Sequence, residues 1–291
     1  MKRSFTIMKV AAIIGCILLV SSMMGCNQVN SAPMSIEDNF TNPRVAALVR
    51  AAVNGNISEV KNYIAEGVSV NSPGSHGVTP LMFVLMSRNK QGARALLELG
   101  ADPNQPFDDG YTAVWFWSGA DDPEILELLL THGGNPNVWA EDKNALMFAV
   151  RQSRWENFDL LLKHGADING ASYVHSTAAI YAAHMDAFDK VVMMLERGYN
   201  YRLIDLARSL SLTPVAPDTE NYRWREKALR MLEARGVPFP LPPPAAIIPE
   251  PMDPKFRAEL EALEKSGSLQ PGSRGQKLLD QERERDKQQG R

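Results

Sequence analysis

The chain has 291 residues, of which 44% are apolar, 22% charged and 8% aromatic. That balance belongs to a globular protein and excludes a disordered, collagenous or multiply spanning chain. A formal net charge of −3 without any long basic run excludes a nucleic-acid footprint. The two cysteines, Cys16 and Cys26, lie in the first tenth of the sequence, so no disulfide framework or cysteine metal site holds the body together.

Lys2, Arg3 and Lys9 precede the apolar run Val10 to Val20, and small, flexible residues lead from there to Gly25-Cys26. A positive start followed by about 7–15 apolar residues describes an export signal, since a spanning helix needs about 20. Ser22-Met23-Met24-Gly25-Cys26 resembles the lipobox of bacterial lipoproteins, with Met23 where leucine is usual. Ile13-Ile14-Gly15-Cys16 fits on residue type, but would leave only Val10 to Ile14 as apolar core and put Ile17 to Val20 on the mature surface. Cys26 is therefore the expected lipidation site, with 1–25 as signal peptide. A plain signal peptide cut elsewhere and an uncleaved anchor stay open. The resemblance implies a membrane-anchored protein; Asn27, not being the retention aspartate, places it at the periplasmic leaflet of the outer membrane. Residues 26–41 are polar and bear Pro, Ser and Asn, as a tether should.

The body repeats itself. Glycines at 67, 100, 133, 165, 198 and 236 are spaced by 33, 33, 32, 33 and 38 residues. Leu96-Leu97-Glu98-Leu99-Gly100-Ala101-Asp102-Pro103-Asn104 returns as Leu129-Leu130-Thr131-His132-Gly133-Gly134-Asn135-Pro136-Asn137 and as Leu161-Leu162-Lys163-His164-Gly165-Ala166-Asp167-Ile168-Asn169, then more weakly at Met194 to Asn200. Upstream of these runs lies a second signature, fullest in Gly77-Val78-Thr79-Pro80-Leu81-Met82. It degrades through Thr112-Ala113-Val114, Asn144-Ala145-Leu146 and Thr177-Ala178-Ala179. The two together resemble the ankyrin repeat: a turn into a first helix, a second helix ending at the glycine, and a β-turn finger. The resemblance covers residues 42–240 and implies an all-α ankyrin-repeat solenoid of about six repeats. Thr79 should cap a helix that Pro80 begins, and each glycine should end one in the left-handed conformation. The paired leucines bury against the neighbouring repeat. First-helix alanines Ala51, Ala149 and Ala182 sit where repeats approach, and Val84 and Trp117 in that position should alter the spacing. The first copy lacks the Thr-Pro signature and should cap the array. In the last, Leu203 to Leu210 and Arg225 to Glu233 should be the helices.

Eight prolines between Pro238 and Pro254 exclude helix interior, so 241–254 is expected to be an extended linker, as spacer or strap. Within the charged tail, 255–291, Phe256 to Lys265 should be a short helix with Leu260 and Leu263 on one face. Residues from Gln270 onward are polar and mixed in charge, open between partial helix and disorder.

No enzymatic motif stands out: there is no G-x-S-x-G elbow and no phosphate-cradling glycine loop. His132 and His164 precede the repeat glycine, where a polar residue is ordinary, and the spacing of His175 and His184 matches no compact metal site. No cofactor or metal is expected. Asp102 and Asp167 belong to the repeat's own turn. What remains is surface. The resemblance implies that fingers and the exposed positions of first helices line a groove for another protein. On this chain the finger candidates are His76, Phe107, Asp108, Asp109, Tyr111, Trp139, Glu141, Tyr173 and His175. The first-helix candidates are Met86, Trp115, Trp117, Arg151, Gln152, His184 and Met185. Phe83, Phe116, Phe148 and Tyr181 recur at one repeat position, which points to packing between repeats; of Trp115 and Trp117 at least one should be core. Asp108, Asp109, Asp121, Asp122, Glu141 and Asp142 suggest a partner with a basic face.

An exported, anchored array of this kind is similar to the ankyrin-repeat immunity lipoproteins paired with phospholipase effectors of type VI secretion. Such proteins bind and block an incoming lipase-type toxin. Two rivals stand: a periplasmic scaffold or stress-protection factor holding a resident envelope enzyme, and an enzyme with a site assembled from finger residues.

Overall fold

The computed structural model describes residues 35–107, 110–140, 142–242, 254–265 and 274–288. Cys26 and the export segment, Asp108, Asp109, Glu141 and most of the proline-rich stretch lie outside the described residues. The chain divides into two units, the first ending at Pro238 and the second beginning at Phe239.

The first unit is a stack of helix pairs. A short helix, α1 (Ile36–Asn39), precedes α2 (Pro43–Val53) and α3 (Ile57–Ala65), the first pair. Then come α4 (Pro80–Met86) with α5 (Lys90–Glu98), α6 (Ala113–Ser118) with α7 (Pro123–Thr131), and α8 (Ala145–Arg151) with α9 (Trp155–Lys163). The last two pairs are α10 (Ala178–His184) with α11 (Phe188–Glu196) and α12 (Leu203–Leu212) with α13 (Glu220–Ala234). First helices pack on first helices (α2 on α4, α6 on α8, α8 on α10, α10 on α12), and second helices likewise, as α7 on α9 and α11 on α13.

Local chemistry sets these boundaries. The side chains of Thr79, Thr112, Asn144 and Thr177 accept hydrogen bonds from the amides of Met82, Trp115, Met147 and Ile180, each three residues on. Each thereby satisfies a donor that the helix itself cannot. Asparagine performs in the fourth pair what threonine does in its neighbours. The six repeat glycines all have φ between 87° and 98°. That conformation lets the next amide reach back five residues, as Ala101 N to Leu96 O at 2.9 Å and Ala166 N to Leu161 O at 2.9 Å, closing the helix end.

The core lies between successive pairs. Leu96, Leu97, Leu129, Leu130, Leu161, Met194 and Leu195 are buried, while Leu162 is only half-buried and lines a shallow crevice beside Ile168. Ala51, Ala149 and Ala182 are buried where first helices meet. Val84 and Trp117 are buried at the equivalent position, and there α4 and α6 do not approach as closely as the other stacked first helices. At Gly92 a Cβ would lie 2.2 Å from the Ala52 carbonyl oxygen, so α2 and α5 touch backbone to backbone.

A second set of links joins the turns. Asn71 donates through Nδ2 to Gly100 O (3.0 Å) and accepts from the Asp102 amide (2.8 Å). Asn104 does the same to Gly133 O and the Asn135 amide, and Asn137 to Gly165 O and the Asp167 amide. Asn169 accepts from the Asn200 amide (2.8 Å). Asp102 and Asp167 fix their own turns by accepting from the amides of Asn104 and Asn169, the structural role their place in the repeat implied.

Two ends differ from the sequence reading. Within the stretch read as tether, α1 is folded: Asn39 and Phe40 are buried, the Phe40 ring meets Phe83 edge-on at 5.8 Å, and Ser75 Oγ donates to the Asp38 carbonyl at 3.1 Å. The first pair also has its own cap and proline, Asn42 accepting from the Arg44 amide ahead of Pro43. At the other end α13 begins at Glu220 rather than 225, because Thr219 caps it by accepting from the Tyr222 amide at 3.1 Å.

The second unit contains α14 (Pro254–Lys265) and α15 (Arg274–Gln288), paired antiparallel by ion pairs of Arg257 with Asp286 (2.7 Å) and of Glu264 with Arg283 (2.6 Å). Leu260 is buried and Leu263 exposed, so only one of the two leucines read as a common face is covered. Hydrogen bonds from Arg283 and then Gln276 lower the Glu264 carboxyl to about 2.

Candidate functional site

The inner face is built from the fingers and the exposed ends of the first helices. In the fourth repeat the finger is a minimal hairpin, β1 (Trp139–Ala140) antiparallel to β2 (Lys143–Asn144), with Trp139 opposite Asn144. In the fifth, Ala171 bridges Thr177, and the Ser172 amide donates to Ser176 O at 2.9 Å. These pairings hold the finger tips away from the helices. Trp139 is 42% exposed, Tyr173 48% and Val174 54%. His76 is exposed and His175 half-buried, both with positive φ in their turns. His175 Nδ1 lies 2.8 Å from the Tyr201 hydroxyl, which joins the fifth finger to the sixth repeat. Arg151 and His184 are exposed as the last residues of α8 and α10, and Gln152 and Met185 follow them, also exposed.

Other candidates belong to the interior. Phe107 and Trp115, expected to touch a partner, are 6% and 7% exposed. Trp115 stacks on Phe148 with ring centroids 4.1 Å apart, and its indole nitrogen donates to the Lys143 carbonyl at 3.1 Å. Tyr111, half-buried, stacks on Phe107 and meets Trp115 edge-on at 4.9 Å. These rings fasten the third finger to the fourth repeat. Trp117 is core as well, and Met86 is half-buried. The recurring aromatic position is interior packing at Phe116, which is buried, at Phe83 against Phe40, and at Phe148, whose ring closes over Gly119.

Of the acidic residues read from the sequence, the three that are described, Asp121, Asp122 and Asp142, each have a cationic partner. Asp121 pairs with Arg154 at 3.1 Å; Asp122 pairs with Lys90 at 2.9 Å and accepts from the Ile125 amide as a helix cap; Asp142 pairs with Lys143. Hydrogen bonding to Glu124, then to Asp122, holds the Lys90 ammonium above its ordinary range. On the second helices a row of ion pairs crosses from repeat to repeat. Lys90 meets Glu124 (2.6 Å), Glu127 meets Lys163 (2.9 Å), Asp159 meets Arg197, and Glu196 meets Lys227 (2.9 Å). His132 and His164 are C-caps of α7 and α9; His132 Nδ1 lies 2.8 Å from Leu128 O. Among the described residues no group of three or more His, Cys, Asp or Glu side chains is placed to hold a metal.

The large apolar side chains exposed in the array are Trp139, Tyr173, Val174, Met185, Ile204 and Leu212. All lie on fingers, first helices or the turns that follow them, in the last three repeats, and among the described residues of the second helices none is exposed. Ile204 was legible as an apolar residue of a helix but not as surface, and Leu212 lay beyond the expected helix, Leu203 to Leu210, which in the structure runs on to Leu212. Leu212 lines a groove of about 580 Å³ with His184, Arg208 and Pro214, where α12 runs past the end of α10.

Comparison with known proteins agrees with this architecture. The family model for ankyrin repeats matches residues 111–205 in three copies. The chain is similar to the human mitochondrial disaggregase, 30% identical over 210 residues, which is 67% of this chain and 29% of that protein. It is similar to the transient receptor potential channel pyrexia of Drosophila melanogaster, 30% identical over 149 residues, covering 50% of this chain and 15% of the other. A third relative is the ankyrin repeat, SAM and basic leucine zipper domain-containing protein 1 of Notamacropus eugenii, 34% identical over 119 residues, 38% of this chain and 25% of that one. The chain spans less than a third of each of these relatives. Ankyrin repeats serve to bind other proteins. The six stacked helix pairs, with their capping threonines, left-handed glycines and finger turns, are an ankyrin-repeat solenoid.

Proposed function

We propose that this protein is exported, anchored to the membrane by a lipid at Cys26, and binds an incoming phospholipase-type toxin, blocking its action on that membrane. The observation that carries the binding role is the confinement of exposed Trp139, Tyr173, Val174, Met185, Ile204 and Leu212 to the inner side of the array. Scattered apolar residues need no explanation, but a group on one face with tryptophan, tyrosine and arginine is the composition that anchors interfaces. Export and anchoring are supported by Lys2, Arg3 and Lys9, the short apolar run and the Gly25-Cys26 junction. Tethering would concentrate the inhibitor at the surface where a lipase must work.

Two measurements test this reading. Labelling with a radioactive or clickable palmitate should mark the wild-type chain and not Cys26→Ser, which should move to the soluble fraction; an unlabelled wild type overturns the anchoring. The lipid-free chain should inhibit, at equimolar amounts, vesicle hydrolysis by a G-x-S-x-G lipase encoded beside it. No inhibition, with co-purification of resident envelope enzymes instead, would favour a scaffold.

A further inference from the structure

We propose that the partner docks on the last three repeats through an apolar segment that carries a carboxylate, and that this carboxylate meets Arg151. The proposal rests on the inner side being the binding face and adds the chemistry of what binds there. It departs from the expectation of a basic partner at three of the residues that carried it, since Asp121, Asp122 and Asp142 are paired with Arg154, Lys90 and Lys143.

Arg151 ends α8, is exposed, and has no hydrogen-bond, ion-pair or ring partner among the described residues. One repeat further on, the same position holds His184, exposed and lining the groove beside α12. Stacked helices stand about 8–10 Å apart, so the two cationic or proton-accepting heads are neighbours along the trough. The exposed finger rings Trp139 and Tyr173 belong to the same two repeats, and the exposed Met185 follows His184 directly. Along α12, Ile204, Arg208 and Leu212 fall at i, i+4 and i+8, one ridge of the helix. Asp205 on that helix is held between Arg202 and Arg208. The exposed Asp186 sits in the turn between α10 and α11.

A segment covering this surface would remove water from an unpaired guanidinium among apolar groups. Leaving that charge unmet costs more than the surrounding burial returns, whereas a carboxylate can accept two parallel N–H bonds from it. An all-apolar or a basic segment would thus be rejected at Arg151, which gives the site its selectivity.

The test is selection of a randomised twelve-residue phage-displayed library on the immobilised lipid-free chain, followed by affinity measurement with synthetic copies of the enriched peptides. Enriched peptides should pair Asp or Glu with Leu, Phe or Trp. Their Kd should rise at least tenfold in Arg151→Glu and in Trp139→Ala and stay within twofold in Lys163→Glu on the outer face. Circular dichroism should show all three variants folded. Enrichment of basic or uncharged peptides that still respond to Trp139→Ala would overturn the carboxylate proposal and leave the binding face standing. Peptides indifferent to Trp139→Ala and weakened by Lys163→Glu, or no enrichment at all, would overturn the binding face itself.

Discussion

Tyr199 stands where the three preceding repeat turns carry a small residue, Ala101, Gly134 and Ala166, and it is fully buried. Its hydroxyl lies 3.0 Å from Thr177 Oγ1, the oxygen that caps α10. Burial pushes its pKa from the ordinary 10 up to about 12, against a smaller opposing effect of the Thr177 hydrogen bond. An acid whose folded value is raised keeps its proton longer in the folded chain than in the unfolded one. Stability is therefore complete below about pH 10 and falls as pH rises toward 12, by roughly 3 kcal/mol at about 1.4 kcal/mol per unit. Urea midpoints of wild type and Tyr199→Phe across pH 9–12 should show this. The variant should be less stable by about 1 kcal/mol at pH 9, for the lost hydrogen bond. It should lose less than wild type above pH 10. Gly92 offers a second residue-scale case. A methyl there would strike the Ala52 carbonyl, and Gly92→Ala should cost about 1–3 kcal/mol, measured as a lowered denaturant midpoint with unchanged slope.

At the scale of elements, what the sequence reveals depends on how far apart the cooperating residues are. A cap and the amide it serves are three residues apart, so Thr79, Thr112 and Thr177 could be read directly, as could the glycine that ends each second helix. Interactions between repeats are a different matter. Lys90 and Glu124, or Asp121 and Arg154, are more than thirty residues apart, and only the stack makes them neighbours. Asp121 and Asp122 therefore looked open in the sequence and are paired in the fold. Trp115 misled for a similar reason: its helix position faces the trough, but its ring turns to stack on Phe148 of the next repeat. The asparagine links show what such cross-repeat bonds contribute. Asn104→Ala removes the bond to Gly133 O and strands the Asn135 amide. The loss should be about 1–2 kcal/mol, since the site is exposed to water that can replace part of it. Hydrogen exchange should report it as faster exchange confined to the turns of the third and fourth repeats.

For the molecule as a whole, an array whose repeats touch only their neighbours can lose one end without losing the other. The N-terminal end is closed by α1 and Phe40, against Phe83 and the Ser75 turn, whereas the proposed docking surface occupies the last three repeats. Phe40→Ala should cost about 3 kcal/mol, the usual loss for a buried phenylalanine. Because the damage is at one end, that cost should appear as fraying of α1 to α5 rather than as a uniform shift. Amides in those helices should exchange at rates approaching the unprotected ones while amides in α10 and α11 keep their protection. Partner affinity should remain within about twofold of wild type. The converse pair, Trp139→Ala with Tyr173→Ala, removes two exposed rings. It should weaken partner binding by tenfold or more, as loss of aromatic anchors does, and move the melting temperature by less than about 2 °C. Comparable loss of binding from both ends would mean that the trough works as a single rigid surface. Loss of stability in the Trp139/Tyr173 variant would return those rings to the packing.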